Sequence, residues 1–116
     1  MTGSTEAREV IRRIVDKIVR EYRPEKVILF GSYSSGTPDR DSDIDLLIVK
    51  ETGDRQIDRE VAVATIVSDR KRLTPFDPHV MTPAEVTERL RIGDQFVREI
   101  LDKGEVLYEV PGVSVP

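Results

Sequence analysis

Apolar and polar residues follow a helical spacing over the first part of the chain. From about Thr5 to Tyr22, apolar residues recur every three or four positions and charged residues fill the positions between them. This spacing predicts an amphipathic helix with one buried face. The helix is expected to end at Arg23, because the residue before a proline disfavours helical dihedral angles.

Four short segments instead have the pattern of β-strands. Residues 26–30 form an apolar run with β-branched members, and residues 43–49 form a second run that opens with two acidic positions. A third strand is predicted over residues 76–81. Its internal Pro78 indicates a sheet edge or a bulge, since proline cannot donate to the ladder. The pattern leaves the direction of this strand open, and residues 106–108 are compatible with a last short strand.

Two further helical regions separate these strands. Residues 55–70 predict a helix, in which β-branched residues are frequent. Its buried side is expected to carry Ile57, Val61, Ala64 and Val67. The other region, residues 82–102, begins with a capping-box sequence at residues 82–85. It is predicted in two pieces, with the break near Gly93 and Asp94.

Strands and helices therefore alternate along a chain of 116 residues, a length that suits one domain with a modest core. We expect this domain to span residues 1–110 and to be followed by a flexible tail, residues 111–116. The predicted fold class is α/β (α+β), with a small mixed β-sheet and helices mainly on one face.

Composition excludes several classes of protein. The chain has no cysteine, which rules out disulfides, thiol catalysis and thiolate metal sites. The formal net charge of −4 argues against sequence-independent nucleic-acid binding, which depends on Lys and Arg. No segment resembles a signal peptide or a membrane span. We therefore expect a cytoplasmic protein with neither a membrane nor a nucleic-acid partner.

The turn after the first predicted strand is the first candidate site. Gly31 allows a sharp turn and a close approach of a ligand to the main chain. Ser32 adds a hydroxyl, and successive N–H groups leaving such a turn can bind an anion. Taken alone, a Gly-Ser pair is only a turn.

The start of the second predicted strand supplies the complementary chemistry. Because side chains alternate along a strand, Asp43 and Asp45 project from one face and the apolar residues between and after them from the other. Such a pair, if isolated, is most often solvated. Facing a phosphate-binding turn, however, two carboxylates can share a pair of Mg²⁺ ions, which indicates a centre for phosphoryl or nucleotidyl transfer.

The third predicted strand carries a third acid and the single histidine of the chain. Two Mg²⁺ ions bring four positive charges, so further carboxylates are expected. Asp77 is the best candidate, although an aspartate in a surface turn is the simpler interpretation. His79 falls on the same strand face. It could position a phosphate or an acceptor, but we expect it to contact a nearby carboxylate.

The segment from Phe30-Gly31-Ser32 to Asp43-Ile44-Asp45-Leu46, with ten residues between its two parts, resembles the signature of the DNA polymerase beta-like nucleotidyltransferases. The chain is most similar to their smallest members, the minimal nucleotidyltransferase domains. The resemblance covers most of the chain. One departure is Ser34-Ser35, where many relatives have alanine and arginine.

This resemblance implies a function and roles for the candidate residues. The expected reaction is Mg²⁺-dependent transfer of a nucleoside monophosphate, AMP from ATP, with release of pyrophosphate. Gly31 and Ser32 would bind the nucleotide phosphates. Asp43, Asp45 and Asp77 would be catalytic and would ligate two Mg²⁺ ions, and Asp77 would also serve as the general base.

The resemblance also implies a protein partner. Larger relatives carry a further domain for the second substrate, so the acceptor site here is expected to be completed by another chain in a homo- or hetero-oligomer. In the family that partner is commonly a small helical HEPN protein, which the nucleotidyltransferase modifies on a hydroxyl as the antitoxin of a toxin–antitoxin pair. The alternative is a non-catalytic module that binds a nucleotide or neutralises a partner by occlusion; the Ser34-Ser35 departure keeps it open.

Overall fold

A computed structural model describes residues 2–31, 43–68 and 76–111, with side chains from Ala7 onward. The described elements are, in chain order, α1 (Thr2–Tyr22), β1 (Lys26–Phe30), β2 (Ile44–Val49), α2 (Gln56–Ile66), β3 (Phe76–Met81), α3 (Pro83–Arg91), α4 (Gln95–Lys103) and β4 (Glu105–Glu109). Within these parts of the chain, no helix has both the length and the apolar character needed to cross a membrane.

The four strands form one mixed sheet in the order β3-β2-β1-β4. β1 pairs antiparallel with both β2 and β4, whereas β2 and β3 are parallel. This confirms the predicted α/β class with a mixed sheet. It also settles the direction of β3, because the connection through α2 returns the chain to the same end of the sheet before β3 begins.

The two outer strands of the described sheet are β3 and β4. The edge position of β3 explains how Pro78 is accommodated inside a strand. On β4, two acidic side chains are held in ion pairs, Glu105 with Arg8 at 2.7 Å and Glu109 with Lys26 at 3.1 Å.

Helices cover both faces of the sheet. The core on one face joins α1 and α2 to the side chains that β1, β2 and β3 present there. A smaller core on the other face joins α3 and α4 to Ile28, Leu47 and Val49. As expected, the two longer helices, α1 and α2, share one face of the sheet. The two short C-terminal helices cover the opposite face, because the inner strands are apolar on both sides and each side needs a cover.

Helix α2 turns a different side to the core from the one its pattern predicts. Ile57 and Val61 are 59% and 56% exposed, and the buried residues are Arg59 and Val63 instead. An arginine counts as polar in the pattern, but its aliphatic stem can be buried when the guanidinium is paired. Val67, also predicted as buried, is 4% exposed.

The buried Arg59 connects α2 to the start of α3 through hydrogen bonds. Its guanidinium donates at 2.6 Å to Oε1 of Glu85 and at 2.8 Å to the carbonyl of Asp54. The same Glu85 oxygen accepts from the backbone N–H of Thr82, which completes the predicted capping box. Arg59 holds the pKa of Glu85 below its ordinary value. The contribution of the pair to stability is therefore full at neutral pH and is lost as the pH falls through that lowered pKa.

Glu85→Ala is expected to destabilise the fold more than Arg59→Met. The first change leaves a buried guanidinium without its carboxylate and removes half of the capping box, which we expect to cost about 2–3 kcal/mol. The second keeps the packed stem and leaves a carboxylate that water can reach, at a cost of about 1 kcal/mol. Urea unfolding of both variants checks the order, and a larger loss for Arg59→Met would contradict it.

The two-piece helix near the C-terminus is also as predicted. α3 and α4 are separated at Gly93, whose φ of 82° is in the left-handed region. Asp94 then caps α4 by accepting from the N–H of Val97. Residues 112–116, the greater part of the predicted tail, lie outside the described residues.

Candidate active site

Three strands bring candidate residues to one rim of the sheet. In the strand register Phe30, at the end of β1, is opposite Asp45 on β2, and Asp45 is opposite Asp77 on β3. Gly31 follows directly after β1. The order across the sheet is therefore Gly31, Asp45, Asp77, on the face that α3 and α4 cover.

Asp45, Asp77 and His79 form a compact cluster. One potential ligand atom from each of the three lies within 4.8 Å of the other two. Nε2 of His79 is 3.3 Å from Oδ2 of Asp77, which confirms that the histidine contacts a carboxylate. Two carboxylate oxygens and one imidazole nitrogen are a donor set that divalent cations accept.

The electrostatics of Asp45 also suit a cation. Partial burial raises the pKa of its carboxyl, the charges of Asp77 and Asp43 raise it further, and His79 opposes them. The pKa is raised because the ionised form is neither well solvated nor paired. A divalent cation would supply the missing partner, so the residues present fit the metal that the family resemblance implies.

Asp43 is less closely placed than the other acids. It is exposed, immediately precedes β2 and is not a member of the cluster within 4.8 Å, although its charge is felt at Asp45. Its role as a metal ligand stays a prediction.

Ser32 and the Ser34-Ser35 departure fall in residues 32–42, outside the described part of the chain, so the phosphate-binding role of Ser32 also stays a prediction.

Gly31 is fixed by two constraints. Its φ of 78° lies in the left-handed region, as expected for a sharp turn after the strand. A Cβ at this position would also overlap Oδ2 of Asp45 and lie 3.3 Å from its Cγ. The absence of a side chain at Gly31 therefore allows the carboxylate of Asp45 to lie directly against the backbone of the turn.

Gly31→Ala is expected to weaken divalent-cation binding about 10-fold or more, because the new methyl group displaces the carboxylate of Asp45. It should also cost about 1 kcal/mol of stability through its positive φ. Gly93→Ala is the matched control, since Gly93 has a φ of +82° with nothing near its missing Cβ. Thermal unfolding and calorimetric titration should show similar destabilisation but a binding loss only for Gly31→Ala. Equal binding losses would contradict this.

Two aromatic side chains, which also contact each other, pack against the histidine. The His79 ring centroid is 5.5 Å from that of Phe30 and 6.0 Å from that of Phe96, and the two phenyl rings are 5.7 Å apart. Phe96 is nevertheless 53% exposed. These ring contacts were missed by the sequence interpretation, because nothing in the local pattern links residues on β1, β3 and α4.

A cleft of about 410 Å³ adjoins the cluster. Leu47 and Met81 of the sheet and Ile100 of α4 give it apolar walls, and polar groups come from Gln56, Arg89 and Asp94. His79 and Phe96 line it as well, so the cleft meets the cluster at the imidazole. Neither Asp45 nor Asp77 lines it; its β3 residues, from His79 to Met81, follow Asp77 along the strand.

Most of the chain is similar to known nucleotidyltransferases. A family model described as a nucleotidyltransferase domain matches residues 11–107. A Methanocaldococcus jannaschii protein, named as a candidate protein adenylyltransferase, is 34% identical over an alignment of 104 residues that covers 86% of this chain and 96% of the relative.

Solved structures share the fold. A candidate nucleotidyltransferase from Sulfolobus solfataricus superposes with a TM-score of 0.63 at 19% identity, over 91% of this chain and 83% of that one. A toxin–antitoxin structure with AMP-PNP contains a chain that superposes with a TM-score of 0.54 at 23% identity, over 86% and 74%.

Proposed function

The chain belongs to the nucleotidyltransferase domain family and is a nucleotidyltransferase, and from this we propose that it transfers AMP from ATP to a hydroxyl group of a partner protein. The observation that carries the proposal is the order across the rim. A glycine turn, a partly buried aspartate and an exposed aspartate lie side by side, with a cleft beyond them. That order matches the parts that an in-line displacement at phosphorus requires.

Asp45 and Asp77, with Asp43 beside them, would hold Mg²⁺, and we propose two ions as the family resemblance implies. When bound, the cations neutralise the charge of the triphosphate and of the transition state. The protein contributes by fixing its carboxylates. Asp45 is anchored within β2 between the apolar residues Ile44 and Leu46, both fully buried, so its backbone cannot shift easily.

The phosphates would bind on the Gly31 side of Asp45. Without a side chain at Gly31, a phosphate oxygen can reach the main-chain N–H groups of the turn that continues into Ser32. The Ser32 hydroxyl would add a donor. The β- and γ-phosphates would then be held on the β1 side of the site and would leave there as pyrophosphate.

The acceptor would approach from the opposite side. Its hydroxyl oxygen forms a bond to the α-phosphorus while the bond to the bridging oxygen of pyrophosphate breaks. The hydroxyl proton passes to the carboxylate of Asp77, which is exposed and therefore reachable. The nearby imidazole of His79 restricts the orientation of this carboxylate. General-base assistance of this kind contributes about 10²–10⁴-fold to a rate.

The cleft that meets the cluster at His79 is the proposed acceptor site. Its volume of about 410 Å³ is in the range of sites for small ligands. Apolar walls with a few polar groups suit a segment of a protein that presents one hydroxyl-bearing side chain. The protein acceptor is supported by the name of the 34% identical relative, a candidate protein adenylyltransferase.

The likeness to a toxin–antitoxin structure supports a protein toxin as the partner. A solved structure of similar fold is a toxin–antitoxin complex with AMP-PNP, and the family resemblance implies a small helical HEPN protein. We propose that the chain is the antitoxin of such a pair and acts in the cytoplasm. The partner would be encoded beside the chain.

The experiment is transfer from ATP labelled at the α-phosphate to the neighbouring gene product, with Mg²⁺ present. Label on the partner, with none from ATP labelled at the γ-phosphate, supports adenylyl transfer. Complex formation and neutralisation of the partner without label would instead support a non-catalytic module. The matched control is Asp45→Asn, which should still bind the partner but transfer no label.

A further inference from the structure

His79 offers the site a nitrogen donor in addition to its carboxylates. Its Nε2 lies 3.3 Å from Oδ2 of Asp77, and the two acids and the imidazole have ligand atoms within 4.8 Å of one another. Ligands bound at about 2.1 Å to one octahedral ion are about 3 Å apart when adjacent and about 4.2 Å when opposite. The three groups could therefore meet one cation after small side-chain movements.

The residues around the imidazole of His79 favour its binding to a cation. Phe30 and Phe96 pack against the ring and fix its orientation, while its Nε2 faces Asp77. An exposed phenylalanine is unfavourable in water, yet Phe96 is 53% exposed in a position where it packs against His79. Preorganised ligands bind a metal more tightly than mobile ones, because less freedom is lost on binding.

We propose that His79 is a direct ligand of the divalent cation bound by Asp45 and Asp77, and that it makes this site prefer Mn²⁺ to Mg²⁺. The inference rests on the proposed function in one respect only, the binding of a cation by these two acids. Mg²⁺ selects oxygen ligands, whereas Mn²⁺ favours oxygen as well but, as a first-row transition metal, also accepts an imidazole nitrogen. One nitrogen among oxygen donors should therefore raise the affinity for Mn²⁺ much more than that for Mg²⁺.

The test uses the full chain with Mn²⁺ or Mg²⁺ alone, without nucleotide or acceptor. Affinities come from calorimetric titration, and pulsed electron paramagnetic resonance of bound Mn²⁺ detects a directly coordinated nitrogen. Wild type should bind Mn²⁺ about 10-fold or more tightly than Mg²⁺ and should show nitrogen coupling. His79→Gln, which places an oxygen donor there, should lose the coupling and most of the preference while it retains Mg²⁺ binding.

Two further variants separate ligation from a merely structural effect. Phe96→Ala removes packing from the imidazole and should weaken Mn²⁺ more than Mg²⁺. Ile92→Ala, which truncates a similarly exposed apolar residue at 55% exposure, should change neither. Bound Mn²⁺ without nitrogen coupling in wild type would overturn the proposal, as would equal losses of both metals in His79→Gln.

The outcome is independent of the transfer reaction. Nitrogen coupling in a protein that fails to label any partner would leave the ligand assignment standing and remove only the proposed function. Label transfer by a protein without nitrogen coupling would leave the proposed function standing and remove the assignment of His79 as a ligand.

Discussion

Asp45→Asn is expected to reduce nucleotidyl transfer by more than about 10²-fold. Loss of a residue that only orients a metal ligand typically costs 10–100-fold in metal affinity or activity, and a direct ligand should cost more. Asp45 is the central member of the rim, next to Gly31 on one side and opposite Asp77 on the other. No other side chain of the described cluster can take its place.

The same variant should be more stable than wild type when no metal is present. Burial and the neighbouring acids raise the pKa of Asp45 in the folded state. A raised carboxyl pKa means that ionisation at neutral pH opposes folding, so removing the charge should raise the melting temperature. Addition of Mg²⁺ should then stabilise wild type and leave Asp45→Asn unchanged.

Asp16→Asn is the matched control, since Asp16 is exposed on α1, which packs on the opposite face of the sheet. Transfer assays and melting curves of the three proteins should be recorded with and without Mg²⁺. Activity of Asp45→Asn within a few-fold of wild type would contradict the assignment, and so would an equal Mg²⁺-dependent stabilisation of both variants.

Asp77→Asn is expected to lower the rate of transfer by about 10²–10⁴-fold. A general base acts in the transition state, so its loss should reduce the single-turnover rate far more than the affinity for ATP. Some weakening of ATP binding is also expected, because the variant loses a metal ligand. The ratio of the two losses is therefore the informative quantity.

Single-turnover transfer and ATP affinity should be measured on one preparation, with the partner protein as acceptor. Equal losses in both would make Asp77 a binding residue only. Unchanged values in both would mean that Asp77 is a surface aspartate without a function.

Local sequence patterns were sufficient for the strands that carry the site. β1 has the predicted bounds, because the apolar run lies between Pro24 and Gly31, which limit where the strand can begin and end. Alternation then places Asp45 and Leu46 on opposite faces whatever the rest of the fold does. Asp77 and His79 were assigned to a common strand face for the same reason.

Contacts between distant residues could not be predicted in this way. The buried side of α2 depends on Arg59, whose partner Glu85 is 26 positions later in the chain. The parallel direction of β3 and the packing of Phe96 on His79 likewise depend on how whole elements meet. The sequence consequently indicated the acids of the site but missed the aromatic contacts that position its imidazole.

The two outer strands limit how another protein can associate with the sheet. Another chain could extend the described sheet by hydrogen bonding along the outer edge of β3 or β4. Pro78 removes one N–H donor from β3. β4 begins and ends with charged residues that are already paired, Glu105 and Glu109. Both are devices that discourage edge-to-edge aggregation. Recognition of a partner should therefore depend on side chains at the faces and the rim, and the free protein should resist fibril formation at high concentration.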